Sequence, residues 1–306
     1  MTAPAAALAA FAAAVGPVAA GPVVAVGGRT RFGVGGPVDP AAREVRAPAG
    51  VVAVEAADMT VRVRAATTVA DLDGALAEVG QTVALPDRQG ATVGGVLAVG
   101  HSGLRHLGWG PVRDTVLEVR YVSSEGRLVT AGGPTVKNVS GFDLCRLLVG
   151  SLGTLGLLAE VVLRTRPVPA AERWLAGETD PFALRARLHR PASVLWDGTT
   201  TWVLLDGHPD DVAAEARVCG LAEAEGVPPL PPHRWSLPPG ELPALAAGGD
   251  TGRFVAQVGV GVVHRDRPQP ARPVDPAVAG LHRRLKVQFD PTGRLAPGRD
   301  PLAGGS

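Results

Sequence analysis

The chain has 306 residues, of which 46% are hydrophobic and 19% are charged, and its formal net charge is +1. These values fit a folded chain that is long enough for two domains, and they exclude a disordered one. The small net charge and the 4% of aromatic residues also argue against nucleic-acid binding, which needs a clustered basic surface or stacking platforms.

The cysteines and the N-terminal segment bear on the cellular compartment. Cys145 and Cys219 lie far apart and form no CxxC motif, so we expect two buried thiols in a reducing cytoplasm rather than a disulfide, zinc or iron–sulfur site. No basic residue precedes the alanine-rich start, and Pro17 and Gly21 interrupt its apolar run. We therefore expect no signal peptide and no membrane span, but a short helix over about residues 4–15.

The region up to Pro169 predicts mixed helices and strands. The strand PVVAVGG leads into the loop GGRTRFGVGG, and VVAVEAADMTVRVRAAT alternates like a strand pair that turns at Ala57 and Asp58. VADLDGALAEVG predicts a helix with Thr68 as its N-cap and Gly80 as its C-cap. DTVLEVRYVSSEGRLVTAGG predicts a hairpin with SSEG as its turn.

The segment VKNVSGFDLCRLLVGSLGTLGLLAEVVLRTRPV predicts a helix, VSGFDLCRLLVGS, and then an apolar strand that ends at a proline. Asn138 is the hypothesised N-cap of this helix. Lys137 has two open roles, because it could pair with Asp143 to pin the loop or could contact a phosphate.

Beyond residue 170, WLAG, DPFALRARLH, SVLWDGTTTWVLLDGH and PDDVAAEARVCGLAEAEG predict a β-α-β-β-α unit. The proline-rich GVPPLPPHRWSLPPGELP predicts a surface connector. The last segment, LHRRLKVQFDPTGRLAPGRDP, predicts a helix followed by a turn-rich terminus.

Three glycine clusters could carry nucleotide chemistry: GGRT at 27–30, TVGG at 92–95 and GSLGTLG at 150–156. Glycine allows a backbone to approach a pyrophosphate closely, because a Cβ would block that approach. Neither a GxGxxG between strand and helix nor a GxxxxGK[ST] is present. Each cluster alone also fits an ordinary tight turn, so the pattern by itself leaves both readings open.

The order GGRT, ATVGGVLAVGHSG, WGPVRDTVLEVRYV, VKNVSGFDLCRLLVGSLGTLGLLAEVVL and KVQFDPTGRLAPGR resembles the FAD-binding PCMH-type (vanillyl-alcohol oxidase-like) flavoproteins, and among them the FAD-binding subunits E of glycolate oxidases. The resemblance covers residues 22–168 and 281–299. It implies an α+β fold: a PCMH-type two-part FAD-binding domain at 1–169, a reduced α+β cap domain at 170–275, and a C-terminal helix and tail at 276–306 that return to the FAD domain.

The resemblance also implies where FAD binds. The first loop would wrap the pyrophosphate, the second cluster would contact pyrophosphate and ribityl, residues 102–103 would lie near the flavin, and the third cluster would line the adenosine side. The implied cofactor-binding residues are Val26, Gly27, Gly28, Arg29, Thr30, Arg31, Pro86, Thr92, Gly94, Gly95, Ser102, Gly103, Gly153, Thr154, Leu155, Gly156 and Leu157.

Several features of the family are missing here. No histidine lies between residues 21 and 36, so we expect non-covalent FAD. No HxH pair exists, so we expect no metal, and the candidates for a general base are His101 and, after it, His264. Arg29 stands where a third glycine is usual, and it could add a phosphate contact or crowd the loop. Ala296 stands where the family usually has asparagine.

The resemblance implies an electron-transfer subunit of a glycolate or 2-hydroxy-acid oxidising complex, beside a catalytic flavoprotein subunit and an iron–sulfur subunit. Two alternatives remain: a stand-alone FAD-dependent dehydrogenase of a small hydroxy acid, and a cofactor-free structural subunit of the same complex. The missing metal ligands and general base favour the electron-transfer subunit over the stand-alone dehydrogenase. Arg29 and Ala296 would favour the cofactor-free structural subunit. We expect a cytoplasmic protein that reaches the inner face of the membrane only through partners.

Overall fold

The computed structural model describes residues 3–86, 88–133, 143–247 and 252–303, and its helices and strands form an α+β fold. The chain divides into two compact units. The first comprises the described residues of Met1–Gly103, Pro111–Val168 and Arg272–Ala303. The second comprises the described residues of Leu104–Gly110 and Pro169–Ala271. Within the described ranges, no helix has the length and apolar character needed to cross a membrane.

The elements follow one another in mixed order along the chain. The described helices are α1 (Ala3–Val15), α2 (Val69–Ala77), α3 (Val93–Val99), α4 (His106–Trp109), α5 (Leu144–Leu148), α6 (Pro181–Arg187), α7 (Pro209–Cys219), α8 (Ala244–Ala247) and α9 (Pro276–Phe289). The described strands are β1 (Val23–Ala25), β2 (Arg43–Val45), β3 (Val51–Glu55), β4 (Thr60–Arg64), β5 (Gln81–Thr82), β6 (Val116–Val122), β7 (Leu128–Gly132), β8 (Leu157–Arg164), β9 (Arg166–Pro167), β10 (Ala171–Glu178), β11 (Ser193–Trp196), β12 (Thr200–Gly207), β13 (Ala222–Glu223), β14 (His233–Ser236), β15 (Phe254–Gln257) and β16 (Val262–Arg265).

The first unit is built on a five-stranded antiparallel sheet with the order β3-β4-β8-β6-β7. Alternation along β4 sends Val61 and Val63 into the core, where they meet Leu72 of α2 and Leu97 of α3. Arg62 projects from the opposite face and pairs with two buried carboxylates, Glu160 of the adjacent strand β8 and Glu118 of the next strand β6. The alternating pattern therefore gives one apolar face and one ion-paired face.

The predicted hairpins and the first predicted helices are present. The sequence VVAVEAADMTVRVR forms β3 and β4 around a turn at Ala56–Asp58, and SSEG connects β6 to β7. The alanine-rich helix spans Ala3–Val15. The predicted N-cap of α2 is confirmed, since the Thr68 hydroxyl accepts a hydrogen bond from the Asp71 amide. The predicted C-cap at Gly80 is wrong, because α2 ends at Ala77 and Gly80 lies in the turn beyond it with φ +64°.

Two other helix boundaries differ from the predictions. The second glycine cluster, which also fits an ordinary tight turn, instead begins helix α3, which starts after Thr92 and ends at a left-handed Gly100. Helix α5 begins at Leu144 with Asp143 as its N-cap, so the predicted start is too early. Lys137 and Asn138 lie outside the described residues.

The second unit is a seven-stranded antiparallel sheet with the order β13-β10-β12-β11-β15-β16-β14. The predicted β-α-β-β-α order corresponds to β10, α6, β11, β12 and α7. The proline-rich segment is more than a connector, because His233–Ser236 forms the edge strand β14 against β16. Its prolines flank the strand, where no ladder amide is needed, and Trp235 is buried with its indole N–H donated to the Arg267 carbonyl at 2.8 Å.

Residues 104–110 also differ from the prediction, which assigned them to the first domain. The amide of Gly108 donates to the Ala192 carbonyl at 3.2 Å, and Arg105 pairs with Glu172 at 2.5 Å and with Asp206. These contacts tie the segment to the sheet of the second unit, and they join residues too distant in sequence for a local pattern to reveal.

Candidate cofactor site

The first glycine loop follows β1 and lies against the segment at 90–92. A Cβ built on Gly28 would lie 1.7 Å from the carbonyl oxygen of Gly90, and one on Gly27 would lie 2.2 Å from the Thr92 hydroxyl oxygen. Real Cβ atoms do not approach so closely, so only glycine fits at these two positions. The first and second glycine clusters are therefore in direct contact.

The backbone of this loop presents a run of free donors. The amide N–H groups of residues 27–31 donate to no acceptor among the described residues, whereas Val26 on one side donates to the Val45 carbonyl and Phe32 on the other to the Arg29 carbonyl. Residues 27–31 are half-buried or exposed, so these five successive N–H groups are accessible to an external acceptor such as a bound anion.

The second cluster forms the start of α3, and its glycines differ in role. The Gly94 amide donates to the Ala65 carbonyl at 2.8 Å, and a Cβ on Gly94 would lie 2.7 Å from the Ala65 Cβ, so packing alone requires this glycine. A Cβ on Gly95 would meet only the Thr92 hydroxyl oxygen, at 3.0 Å. A side chain on Gly95 would therefore crowd the N-cap of α3 but no other described group.

The third cluster packs against the other end of α3. The Leu152 amide donates to the Ala98 carbonyl at 2.9 Å, and a Cβ on Gly100 would lie 2.8 Å from the Gly150 Cα. The Leu152 side chain occupies the position that a Cβ on Gly35 would need, at 2.1 Å. The third cluster thus lies at the C-terminal end of α3 and against the loop that follows the first cluster, although positions 95 and 150 are 55 residues apart in the sequence.

The side chains of the third cluster serve mainly in packing. Leu155 and Leu157 are buried in apolar cores, and the Thr154 hydroxyl donates to the Ser151 carbonyl at 2.7 Å. A Cβ on Gly156 would lie 2.4 Å from the Tyr121 ring, so this glycine is needed for the aromatic contact. Gly153 has φ +77°. Only the backbone of this cluster is left for a nucleotide.

The predicted flavin-side residues also lie together. A Cβ on Gly103 would lie 3.3 Å from the Pro86 Cβ. The Ser102 hydroxyl accepts the Val112 amide at 3.0 Å and keeps its own proton for donation. His101 is half-buried at the entrance to this turn. His264 lies on β16 in the second unit, where the Gln257 amide nitrogen is 3.2 Å from its Nε2.

Arginines set the charge of the first loop. Arg29 binds both carboxylate oxygens of Glu44 at 2.5 Å and lies 4.8 Å from the Phe32 ring centroid. Its guanidinium is thus already paired, which leaves the Arg29 backbone amide rather than its side chain for a phosphate. Burial, and then the charge of Arg88, lower the pKa of Arg31. Two neighbouring guanidinium groups beside the free amides favour a bound anion.

The residues that sequence reasoning missed are those that support the loop from elsewhere in the chain. Arg88 adds positive charge, Gly90 supplies the surface on which Gly28 rests, and Glu44 holds Arg29. No local motif marks them, since they act through tertiary contact. In the part of the chain that the structure describes, no three His, Cys, Asp or Glu side chains are grouped to hold a metal ion.

Comparison with known proteins gives consistent results. A family model described as an FAD binding domain matches residues 9–132. The chain is 30% identical over 332 residues to glycolate oxidase subunit GlcE of Escherichia coli (strain K12), covering 91% of this chain and 92% of that protein. It is 31% identical over 145 residues to glycolate oxidase subunit GlcD of Bacillus subtilis (strain 168), covering 44% of this chain and 31% of that protein.

Other similarities are shorter or concern the fold alone. The D-lactate dehydrogenase of Archaeoglobus fulgidus is 43% identical over 82 residues, which are 27% of this chain and 18% of that protein. A solved structure of alkyldihydroxyacetonephosphate synthase has a TM-score of 0.69 at 15% identity, over 95% of this chain and 74% of that one. At this identity the structural similarity establishes the fold.

Proposed function

Because this chain belongs to the PCMH-type FAD-binding oxidoreductases and is an FAD-dependent member of them, we propose that it is the electron-transferring FAD subunit of a complex that oxidises glycolate or a related 2-hydroxy acid. The observation that carries the proposal is the run of free amides at residues 27–31, beside two arginines and against the second glycine cluster. A pyrophosphate is the anion that this arrangement suits, because a dinucleotide brings two linked phosphates to one backbone concavity.

The residues present fit FAD in the following way. The amides of Gly27 to Arg31 hold the pyrophosphate, with Thr92 and Gly95 beside it, and Arg31 neutralises its charge. Gly94 supports this site indirectly by letting α3 pack on Ala65. The backbone of residues 153–157 lines the adenosine side. FAD when bound supplies the uptake and release of electron pairs.

The flavin end is held without a covalent bond in this proposal. No histidine occurs between residues 21 and 36 that could form one. Pro86 and Gly103 supply a close-packed wall, and the Ser102 hydroxyl supplies a hydrogen-bond donor. His101 at this turn is the candidate that could exchange a proton with the flavin side.

The assignment to a complex rests on similarity along nearly the whole chain. The match to a glycolate oxidase subunit covers 91% of this chain, whereas the D-lactate dehydrogenase match covers 27%. We place the chain beside a catalytic flavoprotein subunit and an iron–sulfur subunit. The absence of an HxH pair from the sequence supports a role in electron transfer over independent substrate oxidation.

A second candidate function is a stand-alone dehydrogenase of a small hydroxy acid, and the observation that favours it is the Gln257–His264 contact. Gln257 is 3% exposed, and its Oε1 has no hydrogen-bond partner among the described residues. A buried amide that fixes a histidine ring nitrogen is an arrangement that general bases use. This candidate predicts reduction of the flavin by a hydroxy acid without any partner.

The FAD site is tested by the visible spectrum of the purified chain and of two glycine variants. Gly95→Val should abolish flavin binding, because its methyl groups would occupy the space beside Thr92 that is assigned to the cofactor. Gly74→Val on α2 is the control for a valine in a helix of the first unit, since a Cβ on Gly74 has nothing within 4 Å. It should retain flavin.

The pigment released by heat should run as intact FAD, and both apoproteins should show wild-type circular dichroism. A colourless wild-type chain that takes up no added FAD would contradict the proposed function. Full flavin content in Gly95→Val would contradict the placement of the second cluster. Covalently retained flavin would contradict the non-covalent attachment.

A further inference from the structure

The C-terminal tail binds the outer side of the first glycine loop. The Arg299 guanidinium donates hydrogen bonds to three loop carbonyls, those of Phe32, Val34 and Gly36, the last at 2.6 Å. Its Cζ also lies 4.6 Å from the Phe32 ring centroid. One side chain thus contacts every second residue of the loop that follows the free amides.

Backbone contacts join the tail to the same loop. The Asp300 amide donates to the Gly35 carbonyl at 2.9 Å, and the Asp39 amide donates to the Pro297 carbonyl at 2.9 Å. A Cβ on Gly298 would lie 2.6 Å from the Pro37 carbonyl oxygen, so the tail approaches the loop as closely as glycine permits.

The tail is itself firmly held. The Lys286 ammonium donates to the Thr154 carbonyl at 2.8 Å, to the Leu295 carbonyl at 3.0 Å and to the buried Asp290 carboxylate at 2.6 Å. Asp290 also accepts the Leu295 amide at 2.7 Å. The backbone that precedes Arg299 is therefore anchored to the first unit.

The geometry of the loop explains why these contacts matter for an anion. Residues 29–36 form three successive turns, with amides of Phe32, Val34 and Gly36 donated back to carbonyls three residues earlier. A carbonyl shares its peptide plane with the nitrogen of the following residue, so Arg299 fixes the planes that join Phe32 to Gly33, Val34 to Gly35 and Gly36 to Pro37. The turn hydrogen bonds from the Phe32 and Val34 amides to the Arg29 and Arg31 carbonyls connect this fixed segment to the residues that carry the free amides. Without Arg299, three carbonyls would lose their donor and would be free to rotate toward the phosphate side.

We infer that Arg299 is a positioning residue for the dinucleotide: it acts through the first glycine loop, holding the carbonyls of Phe32, Val34 and Gly36 outward so that the amides of residues 27–31 face the pyrophosphate. This inference rests on the proposed function. It links cofactor affinity to a residue more than 260 positions away in the sequence, since Arg299 and Val34 are separated by 265 residues.

The test compares Arg299→Gln with Arg43→Gln in the full chain. Arg43 is the matched control, because it also donates to three carbonyls of the first unit, those of Ala14, Val15 and Ala20, but to none of the loop. FAD is titrated into each apoprotein and followed by flavin fluorescence. Arg299→Gln should raise the Kd at least about tenfold, while Arg43→Gln should leave it within about twofold, a tenfold change being equivalent to about 1.4 kcal/mol.

Thermal unfolding of the apoproteins separates positioning from general stability, and both variants should lose melting temperature by similar amounts. Arg299→Lys supplies a conservative variant, and its single ammonium should give an intermediate Kd because it cannot span three carbonyls. If Arg299→Gln fails to fold, the Kd of Arg299→Lys for FAD tests the inference instead. Wild-type FAD affinity in the folded Arg299 variants would overturn the inference.

Hydrogen exchange of the apoproteins gives a readout that does not need FAD. Amides at residues 27–36 should exchange faster in Arg299→Gln than in the wild type, with no change there in Arg43→Gln. Unchanged exchange in Arg299→Gln would overturn the inference by itself. A wild-type chain that binds no FAD would contradict the proposed function and the dinucleotide role of Arg299 together, whereas equal FAD binding by the wild type and Arg299→Gln would contradict the role of Arg299 alone.

Discussion

Strained backbone marks the candidate site at the scale of single residues. Among the described residues, the non-glycine positions with left-handed φ are Arg29 at +58°, Met59 at +51°, Leu152 at +55° and Ala296 at +44°. Three of the four surround the first glycine loop, because Leu152 contacts Gly35 and Ala296 packs with Val26. Such strain persists where surrounding contacts over-determine the backbone, which is typical of ligand sites.

The two departures from the family pattern are explained by the same geometry. Arg29 stands where a glycine is usual and Ala296 where an asparagine is usual, and both of the usual residues tolerate a left-handed φ better. The fold therefore retains the left-handed turns after the residues that favour them have changed. Glu44 and the Phe32 ring hold Arg29 in place, and the Val23 carbonyl accepts the Ala296 amide at 2.8 Å.

Met59 offers a test of this strain away from the site. It is 45% exposed and ends the turn at Ala56–Asp58 with φ +51°. Met59→Gly should raise the free energy of unfolding by roughly 0.5–1 kcal/mol, since the left-handed penalty removed exceeds the entropy that glycine adds to the unfolded chain. Urea unfolding measures it. Ala57→Gly, at a position where φ is not left-handed, should lower the free energy of unfolding. A lower free energy of unfolding in both variants would show that Met59 is not strained.

Cys145 predicts a specific dependence of stability on pH. Its thiol donates weakly to the Leu117 and Ala131 carbonyls at 3.6 and 3.5 Å, and burial, helped by Asp143, raises its pKa from 9.0 to about 11. Below pH 9 both folded and unfolded states keep the proton, so this group changes nothing. Between about pH 9 and 11 only the unfolded thiol ionises, and stability is lost as the pH rises.

Urea unfolding at pH 7.5 and pH 10.5 measures this effect in the wild type, Cys145→Ala and Cys219→Ala. The loss between the two pH values should shrink in Cys145→Ala. Iodoacetamide at pH 8 should leave Cys145 unmodified in the folded protein, because the thiol rather than the thiolate is present. Equal pH dependence in the wild type and Cys145→Ala, or rapid labelling, would show that Cys145 keeps an ordinary pKa.

At the scale of elements, local sequence patterns predicted the turns and most helices. They did not predict which glycines are required for packing and which are available to a cofactor. The Thr68 cap and the SSEG hairpin depend on neighbours within a few residues, so the sequence is sufficient for them. Gly94 and Gly156 were grouped with the cofactor residues, yet Ala65 and the Tyr121 ring account for the lack of a side chain there. Contacts across the fold distinguish a packing glycine from one that faces open space.

The edge strand β14 shows the same limit for a proline-rich segment. Pro231, Pro232 and Pro238 favour an extended backbone, which suits a connector and an edge strand equally well. Pairing with β16 and the burial of Trp235 decide between the two. No periodicity in the segment itself carries that information.

At the scale of the whole molecule, the two units have separate apolar cores. Leu72 and Leu97 belong to the core of the first unit, whereas Leu205 and Val263 belong to that of the second. The residues assigned to FAD all lie in the first unit, and His264 lies in the second. Substitutions at the FAD residues and at His264, the candidate general base, therefore change different units, and their effects can be measured separately in the intact chain.

Reduction of the flavin distinguishes the two candidate functions. As an electron-transfer subunit, the isolated FAD-loaded chain should be reduced by dithionite but not by glycolate or lactate, because its sequence contains no HxH pair that could hold a metal and orient a hydroxy acid. Bleaching of the flavin absorbance under anaerobic conditions measures it. Bleaching by a hydroxy acid that is lost in His264→Gln would instead establish the stand-alone dehydrogenase.

The sequence by itself determined the hairpins, the Thr68 cap and the order of the three glycine clusters, because these are local properties of the chain. The fold class and the FAD chemistry were implied by the resemblance of the quoted motifs to the PCMH-type flavoproteins. Only the tertiary structure decided that Gly28 rests on the Gly90 carbonyl, that Arg29 is held by Glu44, and that Arg299 binds the loop from the far end of the chain. These contacts join residues up to 267 positions apart, and their geometry depends on the packing of the whole first unit.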